Sequence, residues 1–316
     1  MTYYIGIDIG GTKCAVTLGR EDPAAGEMRV LEKHRFETPN SAPAETLDRI
    51  AGLIGGFTQK AEIAGIGISC GGPLDSASGV ILGPPNLPGW GHIEIARYFE
   101  EKFHVPVRLQ NDANACAVAE WKYGAGKGLR NLIFLTFGTG LGAGLILDGR
   151  LYTGTNDMAG EVGHWRMSES GPMGYGKAGS FEGFCSGGGI ALAAQAKIAD
   201  AKDSWLFPFA DSPDAIDAKR IADLADGGDE FCRGIYAGCG RMLGRGLALM
   251  IDILNPQMIV IGSIFARSRN LLWEYAKVEI EAEALGCSAK VCRVVPAQLG
   301  ESLGDIAALT VAEGGF

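Results

Sequence analysis

No Cys-x-x-Cys pair occurs among the eight cysteines of this 316-residue chain. Neither a zinc ribbon nor a disulfide framework is indicated, and a reducing compartment fits best. Basic excess is lacking too. Lys and Arg number 28 against 37 Asp and Glu, a net charge of −9, which argues against a nucleic-acid surface. Uncharged apolar stretches such as Asn131–Leu147 are broken by glycines and threonines, which makes them poor membrane spans. The N-terminus, Met-Thr-Tyr-Tyr-Ile-Gly-Ile-Asp, has no basic patch before its apolar run, so no signal peptide is expected. These absences together predict a soluble cytoplasmic protein without nucleic-acid or membrane partners.

What the chain does have is 47% hydrophobic residues, enough for two substantial cores. It also says the same thing twice. Asn131–Gly149 reads as two strands around the turn Gly138-Thr139-Gly140-Leu141-Gly142, and Ile5–Ile9 and Cys14–Leu18 flank Gly10-Gly11-Thr12-Lys13 in the same way. Both turns are nearly bare backbone, able to bring N–H groups against an anion, with phosphate the leading guest. After the first hairpin come a third strand around Arg29–Phe36, a helix over Ala44–Lys60 and a strand over Ile63–Cys70. A helix over His92–Phe103, a strand over Val105–Gln110 and a helix over Asp112–Tyr123 follow. The second half repeats the order with a helix through Gly234–Leu254, a strand at Met258–Gly262, a helix at Arg267–Leu285, a strand at Val291–Val295 and a helix at Leu303–Ala312. This pattern predicts an α/β protein with an internal duplication, two lobes facing a cleft. The expected division is residues 1–115, completed by 303–316, and residues 116–302.

Candidate chemistry gathers at the ends of these elements. Asp8 lies inside an apolar strand, where a carboxylate is costly without a cation or donors nearby; it suits a magnesium-bound phosphate reached through water, or a turn cap. Lys13 fits either a phosphate contact or an ordinary surface lysine. The long loop Gly71–Gly91 holds Asn86 among prolines, a side chain able to donate and accept as a sugar hydroxyl requires, or a turn asparagine. Asn111-Asp112 arrive at the C-terminal end of a strand just where a helix starts. Asp112 there is either a helix cap or a carboxylate placed to take a proton from a hydroxyl. Glu161 and His164 are three apart with Gly163 between them, and Glu182 opens a later helix. Ala201–Asp214, with Trp205, Phe207 and Phe209, reads as an inserted apolar segment packed on the core or on a partner.

The set Asp8-Ile9-Gly10-Gly11-Thr12-Lys13, Pro85-Asn86-Leu87-Pro88-Gly89-Trp90, Asn111-Asp112-Ala113-Asn114-Ala115, Gly138-Thr139-Gly140-Leu141-Gly142 and Glu161-Val162-Gly163-His164 resembles the ROK family of sugar kinases and sugar-responsive repressors. The likeness extends from Ile5 to about Ala312. It implies a ribonuclease H-like, actin/hexokinase-type fold, with ATP and Mg2+ bound at both hairpins and a hexose or N-acetylhexosamine in the cleft. It also implies a homodimer. Carried over by position, Asp112 is the general base, and Asn86, Asn111, Asp112, Glu161, His164 and Glu182 hold the sugar. Asp8, Gly10, Gly11, Thr12, Lys13, Gly138, Thr139, Gly140 and Gly262 serve the nucleotide, with Asp8 facing the magnesium.

Two departures from the family pattern stand out. Ser263 replaces a second glycine after Gly262. Members commonly place Cys-x-Cys-Gly-x-x-Gly-Cys after the histidine to bind a structural zinc, and here Met173, Tyr175 and Ser180 hold those three positions. One histidine without a thiolate cannot close a tetrahedral site. No structural zinc is therefore expected, and packing of Met173, Tyr175 and Phe181 is expected to order this loop. A repressor of the family would carry a DNA-binding segment ahead of the first hairpin, which is not expected here. A catalytically weak sugar sensor is the alternative to a kinase.

Overall fold

Residues 1–39, 43–200 and 216–316 are described by the computed structural model. The apolar segment Ala201–Asp214 lies outside them. In chain order the elements begin with strands β1 (Thr2–Ile9), β2 (Lys13–Asp22) and β3 (Glu27–Glu37), helix α1 (Pro43–Thr58), β4 (Ile63–Cys70) and the short pair β5 (Leu74–Asp75) and β6 (Val80–Ile81). Next come α2 (Ile95–Phe103), β7 (Val107–Asn111), α3 (Asp112–Tyr123), β8 (Leu132–Phe137), β9 (Leu141–Leu147) and β10 (Arg150–Tyr152). The remainder comprises β11 (Met173–Gly174), β12 (Lys177–Ala178), α4 (Phe181–Phe184), α5 (Gly187–Asp200), α6 (Ala218–Asp226), α7 (Glu230–Leu254), β13 (Met258–Ile261), α8 (Ile264–Arg267), α9 (Arg269–Glu283), α10 (Gly286–Ala289), β14 (Arg293–Pro296) and α11 (Leu303–Glu313).

The duplication is visible in the sheets. One runs β3-β2-β1-β4-β7 and the other β10-β9-β8-β13-β14, the same order in each half. In the first sheet β1 pairs antiparallel with β2 and parallel with β4, as a hairpin followed by a helical crossover requires. Helix α9 starts at Arg269 because a separate short helix, α8, precedes it. Strand β14 starts at Arg293, two residues later than expected, and Val291 is left exposed. Among the described residues no helix is long and apolar enough to cross a membrane.

Two compact units emerge. The first comprises residues 1–134, 144–159 and 298–316, the second residues 135–143 and 160–297. The sequence-based division at residue 115 falls inside α3. In the first unit β1 has the two-residue alternation of a strand buried on both faces. Ile5, Ile7 and Ile9 point into a core with Ile50, Ile54, Phe57 and Phe99, and α1 supplies its share at helical spacing. On the opposite side of β1, Gly6 and Asp8 meet α11. That helix lies almost wholly in the interior, close enough that a Cβ at Gly67 would overlap the Ala308 carbonyl and the Ala312 nitrogen. Polar contacts fix its rotation. Lys33 Nζ reaches Asp305 Oδ2 at 2.6 Å, Thr17 Oγ1 donates to Asp305 Oδ1 at 3.2 Å, and Glu313 takes hydrogen bonds from Lys122 and Tyr123 at 2.8 and 2.6 Å.

In the second unit the 25-residue α7 is the central helix and packs on α9. Phe181 is fully buried and stacks on Trp165 with ring centroids 6.1 Å apart. Because α11 has no room to retreat from β4, Gly67→Ala should cost about 3 kcal/mol of stability through overpacking. A lowered urea midpoint would show this, and an unchanged midpoint would show that the helix can move away.

Candidate active site

In the first unit the turn after β1 closes on itself: Gly10 N–H donates to the Lys13 carbonyl at 3.0 Å, and Thr38 Oγ1 donates to the Gly10 carbonyl at 2.7 Å. Thr12 and Lys13 face solvent. Gly11 is a glycine for a reason the sequence does not reveal, since a Cβ there would overlap the Asn86 carbonyl. Buried Leu87 and Trp90 anchor the loop that carries Asn86, whose own side chain is exposed. The Asn86 and Asn111 amides both come to the strand end at Gly71-Gly72, within 3.6 Å of where Cβ atoms would sit.

Asn111 is the cap of α3, its Oδ1 accepting from Ala113 N at 3.0 Å and Asn114 N at 3.3 Å. Asp112 is therefore the first helical residue, and its Oδ1 also accepts from Ala113 N, at 2.8 Å. The surrounding protein desolvates its carboxyl, which raises its pKa. Asp8 feels the same effect more fully. Burial, then the nearby charges of Asp112 and Asp305, push its pKa up to about 6, against the pull of Lys33 and Arg35. Asp305 and Lys33 were not singled out from sequence. A lone acid in the apolar run Leu303–Ala312 was the available signal, since such an acid needs a partner.

In the second unit Gly138 N–H donates to the Gly140 carbonyl at 3.1 Å and Gly187 N–H to the Gly138 carbonyl at 2.8 Å, while Thr139 points out. Leu141 N–H donates to Glu182 Oε2 at 3.0 Å. Glu161 precedes and His164 ends a single helical turn, Val162–His164, and both are exposed. Its Gly163 fits so tightly that a Cβ would overlap the Leu141 carbonyl. Gly262 N–H donates to the Leu135 carbonyl at 3.0 Å. Ser263 holds φ +53° and ψ −113°, a backbone conformation that suits glycine, and its Oγ accepts from Arg267 Nη2 at 3.3 Å.

The loop at the family's zinc position is held differently from expectation. Met173 and Tyr175 are 53% and 58% exposed, so they do not pack it. Tyr175 sets its ring edge-on to His164 at 4.7 Å. Order comes from the β11–β12 hairpin, from Phe181 beneath it, and from buried Ser180, whose Oγ donates to the Gly174 carbonyl and accepts from Gly183 N. Among the described residues no three His, Cys, Asp or Glu side chains form a metal-binding group.

The sequence pattern of the ROK family matches residues 4–314. The chain belongs to the ROK family. It is 32% identical over 309 residues to a glucokinase of Halalkalibacterium halodurans, covering 96% of this chain and 93% of that enzyme. It is also 32% identical over 259 residues to an N-acetylmannosamine kinase of Escherichia coli, covering 82% and 81% of the two chains. A crystal structure of a ROK family glucokinase from Streptomyces griseus in complex with glucose and AMPPNP superposes with a TM-score of 0.81 at 29% identity, covering 99% and 100% of the two chains. The ROK chain thus has the actin/hexokinase-type fold.

Two stability measurements follow from this geometry. The folded pKa of Asp8, about 6, is above its unfolded value near 4. Ionised Asp8 therefore costs stability above pH 6, at most about 3 kcal/mol, and the cost fades as pH falls towards 4. Thermal melts in magnesium-free buffer should find Asp8→Asn more stable than the parent at pH 7.5, the gain vanishing near pH 4; a pH-independent difference would contradict the shift. Ser263→Gly should relieve a positive φ and raise stability by about 1 kcal/mol. An unchanged or lower denaturation midpoint would show that the backbone there is not strained.

Proposed function

We propose that this ROK family sugar kinase transfers the γ-phosphoryl group of ATP to a hydroxyl, the 6-hydroxyl, of a hexose or N-acetylhexosamine, with Asp112 taking the proton. The observation that carries the reading is the division of labour at the start of α3. Asn111 caps two of the first N–H groups of the helix, and the desolvated Asp112 carboxyl, which shares only one of these through Oδ1, has lone pairs left for a substrate hydroxyl. A base whose pKa is raised toward neutrality accepts a proton more readily than an ordinary aspartate does. The glucokinase and N-acetylmannosamine kinase relatives support the substrate class.

In this reading Asn86, Asn111, Glu161, His164 and Glu182 orient the sugar, and each presents donors or acceptors suited to hydroxyls. The turns Gly10–Lys13 and Gly138–Gly140, with Gly262, hold the nucleotide through backbone N–H groups, as phosphoryl transfer needs placement and charge stabilisation above all. Asp8 suits a magnesium ion held through water. Its carboxyl is desolvated and has Asp112 and Asp305 nearby, a concentration of negative charge that a divalent cation relieves. Bound magnesium supplies charge neutralisation on the phosphates. A structural zinc has no place in the proposal, because Met173, Tyr175 and Ser180 offer no thiolate.

Coupled ATP-consumption assays over glucose, fructose, N-acetylglucosamine and N-acetylmannosamine test the reading. At least one sugar should stimulate turnover, whereas none would do so for a sugar sensor. Asp112→Ala should lower kcat by about 10²-fold or more with the fold retained by circular dichroism, and near-parental turnover would remove Asp112 from the mechanism.

A further inference from the structure

We infer that Glu182 couples occupancy of the sugar site to the geometry of the phosphate-holding turn Gly138–Gly142, so that bound sugar tightens nucleotide binding. The inference rests on the assignments proposed above for those two motifs, and adds a link between them that neither role requires. Three contacts converge on this side chain. Leu141 N–H, within the turn, donates to Glu182 Oε2 at 3.0 Å. A Cβ at Gly140 would lie 2.9 Å from the same oxygen, so the missing side chain at Gly140 is what lets the carboxylate in. On its other side, a Cβ at Gly163 would lie 3.3 Å from Glu182 Cβ, which places Glu182 against the Glu161–His164 segment as well as the turn.

The base of the side chain is rigid. Ser180 caps α4 by accepting from Gly183 N at 3.0 Å, and Phe181 is fully buried. Only the end of the Glu182 side chain is then left to choose its position. A carboxylate carries lone pairs on both oxygens, and Oε1 has no hydrogen-bond partner among the described residues. One hydroxyl donated to Oε1 fixes the rotamer with Oε2 on Leu141 N–H. The turn is then held before nucleotide arrives, and the ordering cost of nucleotide binding falls. By linkage, nucleotide tightens sugar by the same factor. Glu182 acts on the phosphates only through Leu141, which makes it a positioning residue for the nucleotide.

Gly140→Ala tests this without removing Glu182. Its added methyl meets only the end of the Glu182 side chain, and Gly140 does not have a positive φ. The readout is the ratio of AMPPNP dissociation constants without and with a saturating sugar, measured by calorimetry on the full chain. The sugar is whichever one the parent phosphorylates in the panel above. The parent should give a ratio of about fivefold or more, and Gly140→Ala a ratio near one. A parental ratio in Gly140→Ala, or a ratio of one in a parent that phosphorylates the sugar, would overturn the inference while leaving the kinase reading intact. A parent that turns over none of the sugars overturns both.

Discussion

The approach of α11 to the first sheet is the constraint on which the rest of the first unit depends. It is the last helix in the chain, yet it lies against β1, β2 and β4, the centre of that sheet. Such proximity needs strands without side chains at the crossing points, and Gly6, Gly19 and Gly67 meet the backbone or side chains of residues 308–312 there. The apolar contact alone would leave the helix free to slide or turn. Asp305, gripped by Lys33 and Thr17, and Glu313, gripped by Lys122 and Tyr123, set its register at both ends. Glu120, buried in α3, ties down the approach to the helix by accepting from Leu299 N at 2.9 Å.

That register has a chemical consequence. Gly304, in the first turn of α11, comes within van der Waals reach of Asp8: a Cβ there would lie 3.4 Å from Asp8 Oδ2. A helix N-terminus favours a nearby carboxylate in its charged form by about 0.3–1 kcal/mol. Burial and two further acids push the other way and win, because the Asp8 pKa still rises to about 6. The same helix that fixes the strand also brings in Asp305, one of the charges that raise it. Asp305 has its own cation in Lys33, so the uncompensated cost falls on the desolvated Asp8, and it weakens the folded protein wherever Asp8 is ionised.

Much of this was legible in the sequence. The duplicated hairpin announced itself through glycine turns between apolar strands, and the order of the later strands and helices survived into two sheets of identical topology. The motif glycines were legible as positions, and the structure adds a packing requirement at two of them. Gly11 and Gly163 are required by the close passage of protein backbone, the Asn86 and Leu141 carbonyls, independently of any ligand. What stayed hidden is long-range. Asn111 and Asp112 are equally good caps by residue type, and only the helix geometry decides that Asn111 does the capping. The Lys33–Asp305 pair joins residues 272 apart in sequence, a separation at which no local pattern carries information.

The loop around residues 173–183 shows why residue type misled there. Bulky Met173 and Tyr175 at two of the three cysteine positions suggested that packing had taken over from metal, yet both are exposed. The smallest replacement, Ser180, does the structural work: its hydroxyl both donates and accepts, which closes the turn to Gly174 and caps α4 in one place. A metal ion ties several chain segments together at a point, whereas a hydroxyl ties only two. The remaining restraint has to come from elsewhere, and it is found in Phe181 stacked on Trp165 and in Lys177 donating to the His164 carbonyl at 2.6 Å. Because Glu182 follows directly on Ser180 and Phe181, the residues that fix this loop also fix the carboxylate that reaches Leu141. Loop stability and the position of the Gly138–Gly142 turn are therefore one physical question in this chain.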